Sequence, residues 1–111
     1  MTLSEMTTLL KSINGFEHKI AYRSFPESDV PQMPYACFVD AQPAVFFADN
    51  TSYYIQPRYT VDLYEKYRDP ATELLFESKF TESEMTFIRT VSYLNDENCW
   101  AISYALTTKG E

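Results

Sequence analysis

The chain has 111 residues, 45% of them hydrophobic and 16% aromatic, and carries a formal net charge of −7. A single domain of this length, taken as residues 1–111, can bury a real core, and the composition is too apolar for a disordered chain. Sixteen acids against nine bases exclude a broad nucleic-acid-binding surface, and two glycines in all exclude a glycine-rich phosphate cradle.

The first periodic segment predicts a helix over 3–13. Thr2 stands as N-cap, with Glu5 at the capping-box spacing. Leu3, Met6, Leu9, Leu10 and Ile13 make one apolar stripe, and Asn14-Gly15 ends it. A strand over 19–25 follows, then a proline-rich connection, then a strand over 35–40 opened by Pro34. Residues 41–52, AQPAVFFADNTS, read as a loop with an apolar middle. The segment 53–64, YYIQPRYTVDLY, has the clearest pattern in the chain. Ile55, Pro57, Tyr59, Val61 and Leu63 share one parity, while Gln56, Arg58, Thr60 and Asp62 share the other. That period marks a strand with one buried and one wet face, and Pro57 within it implies an edge position or a bulge.

Asp69 as N-cap and Pro70 at the first helical position predict a second helix. Ala71, Leu74, Leu75 and Ser78 are its expected core face, with Phe76 and Phe80 as a pair beside it. A strand over 84–94 and a strand over 99–106 form a hairpin through the polar turn NDEN. In the last strand Trp100, Ile102, Tyr104 and Leu106 share a face; Cys99, Ala101, Ser103 and Ala105, all small, share the other, where a helix is expected to pack. The order is α-β-β-β-α-β-β. The expected fold is α+β, a mainly antiparallel sheet of about five strands with two helices on one face.

Catalytic chemistry finds little support. His18 is the only histidine, and one His with two separated Cys fits no zinc spacing. Asp62 with Glu65, and Glu82 with Glu84, could be paired carboxylates, but no nucleophile accompanies them and all four read as solvated acids. No enzyme activity, metal or cofactor is expected. No secretory signal and no apolar run near the ~20 residues of a bilayer span are visible. The expectation is a soluble intracellular protein with reduced thiols, in which Cys37 and Cys99 could lie close if their strands are neighbours. Eighteen aromatic residues exceed what so small a core takes up. Phe46 and Phe47, in the expected loop, are therefore candidate protein-contact residues, with Asp49 and Asn50 after them.

An ordered series of short motifs runs through the chain after the first helix: Pro34-Tyr35, Ala48-Asp49-Asn50, Tyr53-Tyr54, Asp62-Leu63-Tyr64, then Asp69, Glu73 and Glu82-Ser83-Glu84. In this series the chain resembles a family of small proteins from long-tailed phages and prophages of Gram-positive bacteria. It departs by carrying Asp62 where Glu is usual. The resemblance implies a tail completion or tail terminator protein, a head-tail joining piece whose α+β fold forms a ring-like homo-oligomer at the head-proximal end of the tail. It also implies other tail or connector proteins as partners, assembly in the host bacterial cytoplasm and residence in the virion tail. Neither nucleic acid nor membrane is an expected partner. The competing expectation is a monomeric acidic binding or inhibitor module for a basic protein.

Overall fold

The fold, obtained as a computed structural model, describes residues 3–26, 28, 30–48 and 52–108; the side chains of 42–48 and 52–56 lie outside that description. Seven elements follow in the expected order: α1 (Leu3–Lys11), β1 (Ile20–Tyr22), β2 (Tyr35–Ala48), β3 (Ser52–Glu65), α2 (Pro70–Glu82), β4 (Thr86–Leu94) and β5 (Cys99–Thr107). The five strands make one mixed sheet in the order β1-β2-β3-β5-β4. Only the β1·β2 pair is parallel; the other three are antiparallel.

Both helices cover one face. Met6 and Leu10 of α1 and Phe76 and Phe80 of α2 share a core with Ala36 and Phe38 of β2, Tyr59, Val61 and Leu63 of β3, and Ile102, Tyr104 and Leu106 of β5. The strand residues have the parity that alternation assigns to the buried side. The apolar stripe of α1 continues past the helix through Ile13 and Phe16, and Gly15 turns the chain there with φ +89°, a conformation that favours glycine. The Thr2 cap lies outside the described residues.

Several expectations are corrected. The first is the loop over 41–52, because β2 continues through Ala48 and pairs with β3 as far as Ala48↔Ser52. Aromatic residues on both sides favour extended pairing over a coil. Pro57 sits in a central strand, not at an edge. It lies opposite a shift of register between Ala41 and Ala44, a bulge, so its missing N–H interrupts the ladder where pairing is already broken. Its carbonyl accepts from the Thr108 N–H and hydroxyl, both at 2.9 Å.

The second correction is the face of α2. Asp69 caps it as expected, accepting from the Ala71 N–H at 3.2 Å and the Thr72 hydroxyl at 2.8 Å. The buried side, however, is Glu73, Phe76 and Phe80, and Leu74 is 63% exposed. Rings decide this rotation: Phe76 meets Phe16 edge-on at 4.8 Å, and Phe80 meets Tyr104 at 5.3 Å and Phe87 at 5.9 Å. Third, the small-residue face of β5 does not receive a helix; the large face does, because Ile102, Tyr104 and Leu106 bring more apolar area into contact. Cys37 and Cys99, finally, lie on strands separated by β3, and both are free and buried.

Candidate functional site

Three features could carry function: a hairpin arm, an open sheet face, and a buried acid cluster. The arm is the end of the β2–β3 hairpin. The β3·β5 ladder begins at Arg58, whereas the β2·β3 ladder runs on from Ala44↔Gln56 to Ala48↔Ser52. Beyond the bulge, two strands therefore continue without a third among the described residues. Register sets Phe46 across from Tyr54 and Phe47 across from Tyr53, two aromatic cross-strand pairs at successive positions of the hairpin. Phe46 and Phe47 thus lie in a strand and not in a loop; Asp49 and Asn50 fall outside the described residues. A two-stranded ribbon is marginal alone in water.

The second face of the sheet is lined by Arg58, Thr60 and Asp62 of β3, by Ala101, Ser103, Ala105 and Thr107 of β5, and by Thr86, Ile88, Thr90 and Ser92 of β4. No described helix lies on it. Toward its β2 end Phe25 and Tyr35 pack edge-on at 5.4 Å, with Tyr64 5.3 Å from Tyr35. At the arm end a cavity of about 480 Å³ lies between Arg58 and Ile88, lined in part by Ala41, Thr60 and Ala105.

The acid cluster lies on the helix side, and sequence reasoning missed it. Glu65, expected to be solvated, is 1% exposed, and Glu73 is 2% exposed. Arg68 grips Glu73 with two hydrogen bonds, both of 2.9 Å, and its guanidinium lies 5.7 Å from the Trp100 ring. Arg89 reaches from β4 to Glu73 at 3.3 Å and Glu77 at 3.1 Å, and the Tyr104 hydroxyl donates to Glu77 at 3.0 Å. Neither oxygen of Glu65 meets a donor, and the neighbour it can bond is the Glu73 carboxylate, with which it shares a proton when Glu65 is protonated. Burial first, and the adjacent Glu73 carboxylate second, push its carboxyl up to about 7. Glu73 moves the other way, held below the usual carboxylate range chiefly by the hydrogen bonds from Arg68. With Glu65 protonated, two carboxylates face two guanidiniums, and the cluster is neutral. This makes it a structural clamp between α2, β3 and β4.

The parity of β3 held a signal for it, since Glu65 continues the series Tyr59, Val61, Leu63. On α2, Glu73, Phe76, Glu77 and Phe80 have the spacing of a buried stripe. Elsewhere, burial raises the Cys37 and Cys99 thiols, which keeps both in the unreactive form near neutral pH. His18 is exposed in the α1–β1 connection. Among the described residues no group of three His, Cys, Asp or Glu side chains is placed to hold a metal, and no helix is long and apolar enough to cross a membrane.

No family model matches the chain, and no curated protein sequence matches it. A solved structure does. The chain is similar in fold to a chain from a structure of the virion of a native gene transfer agent particle, with a TM-score of 0.51 over 96% of this chain and 84% of that one. Identity between the two is 11%, so the likeness is one of architecture.

Proposed function

We propose that the protein is a structural subunit of a phage or phage-like virion, acting at tail completion or the head-tail joint. The observation that carries this reading is the likeness over 96% of the chain to a component of a gene transfer agent virion. The resemblance of its ordered motifs to those of small tail proteins of long-tailed phages points the same way. The work is done by surfaces. Copies of the chain close into a ring, and the arm bearing Phe46 and Phe47, with Asp49 and Asn50 beyond them, engages a neighbouring tail or connector protein. No catalysis, cofactor or metal is required. The chain is made in the host cytoplasm and ends in the virion. A net charge of −7 suits a ring through which DNA slides without adhering.

Disrupting this chain in the phage or phage-like element that encodes it tests the proposal. Filled heads and free tails that fail to join, rescued by supplying the chain in trans, are the expected outcome. Normal yields of complete, infective or gene-transferring particles would contradict it.

A further inference from the structure

The two edges of the sheet are unequal: β1 offers three residues and β4 offers nine. In an antiparallel ladder about half of a strand's backbone groups point away from its partner, so β4 presents an outer row with no strand beside it among the described residues. Native edges of this length are guarded by a bulge, a proline or an outward charge. β4, TFIRTVSYL, has neither a bulge nor a proline, and its single charge points inward to α2. Its register with β5 is unbroken from Thr86 to Leu94, and it contains no proline. Its one charged side chain, Arg89, is drawn onto α2 by Glu73 and Glu77. Ile88, at 72%, and Val91 and Tyr93 stand exposed.

We propose that this edge is where the free protein associates with itself: β4 pairs antiparallel with β4 of a second copy about a two-fold axis, making one ten-stranded sheet. Length selects that occupant, because the molecule's other edge would leave two-thirds of β4 unmatched. Charge selects it too. Two copies at −7 repel over most of their surfaces, yet β4 carries none of the sixteen acids, and its cation is neutralised within its own subunit. Full overlap centres on Thr90. It sets Thr86 across from Leu94, Ile88 from Ser92, Arg89 from Val91 and Phe87 from Tyr93, so no like charges meet and two aromatic pairs form. Glu84 and Asp96 flank the paired segment at its two ends, so association tightens as salt screens them. The inference stands on the edge strand alone and does not depend on the virion reading.

Sedimentation of the purified full chain across the micromolar range tests it. The expected result is a monomer–dimer equilibrium strengthened by salt. Ile88→Lys with Ser92→Lys places like charges opposite one another twice in the pair and should weaken the dimer by about tenfold or more. Both positions are exposed, so the melting temperature of the monomer should hold. Ile88→Glu with Ser92→Glu should be equally monomeric, and mixing the two variants should restore a mixed dimer. A wild type that stays monomeric throughout, a dimer indifferent to the lysine pair, or variants that do not combine would each overturn the proposal. None of these outcomes bears on whether particles need the chain to join.

Discussion

Replacing Glu65 with Gln should abolish a pH dependence of stability that the buried acid cluster imposes. The Glu65 carboxyl has an ordinary value of 4.5 and a folded value of about 7. Between these, the native state holds a proton that the unfolded chain has released, so stability falls as pH rises through the window and levels off above it. At about 1.4 kcal/mol per pH unit the full window is worth about 3 kcal/mol. Glu73 acts with the opposite sign. Its folded value is depressed, so its contribution is present above the ordinary range and is lost only as pH falls below it. The interval from pH 5 to 8 therefore reports mainly on Glu65. Gln keeps the shape, cannot ionise, and can donate to Glu73 as the protonated acid does. Urea unfolding of the wild type should show a midpoint that drops from pH 5 to pH 8, while Glu65→Gln stays flat. The variant should match the wild type near pH 5 and exceed it by about 2–3 kcal/mol at pH 8. A wild type whose stability is constant or rises across this range, or a Gln variant less stable at pH 8, would refute the shared-proton reading.

Other substitutions probe other layers. Phe80→Ala removes a fully buried ring packed on Phe76, Phe87 and Tyr104 and should cost about 3–5 kcal/mol in chemical unfolding. Asp69→Ala removes the cap of α2 and the bond to Thr72, a loss of about 1 kcal/mol by the same measurement. Phe46→Ser with Phe47→Ser, in the two-stranded part of the hairpin, should leave the thermal melt nearly unchanged while blocking incorporation into particles; a large drop in melting temperature would instead assign both residues to the fold.

Much of the fold was legible because its signals are local. The alternation through Tyr59, Val61 and Leu63 identified the central strand, and Asp69-Pro70 marked the start of α2 to the residue. What escaped depends on partners distant in sequence. Leu74 and Leu75 are the more apolar choice for a helix face, but the sheet offers α2 the Tyr104 ring and the Arg89 guanidinium, which suit Phe80, Glu73 and Glu77 better. Glu65 reads as solvated until Arg68 and Arg89 are seen to neutralise its neighbour. The strand through Phe46 and Phe47 was hidden by Pro43 and Pro57, two breakers that the fold gathers at one bulge. Of the candidate contact residues, Phe46 and Phe47 were read in a loop and lie in a strand.

The central claim, a virion subunit acting through its surfaces, is tested most directly by quantitative mass spectrometry of particles purified from the phage or phage-like element that encodes the chain. The account predicts this chain in intact particles, in several copies at a fixed ratio to the tail-tube protein. Its absence from purified particles, with the chain abundant in the same lysate, would contradict the account.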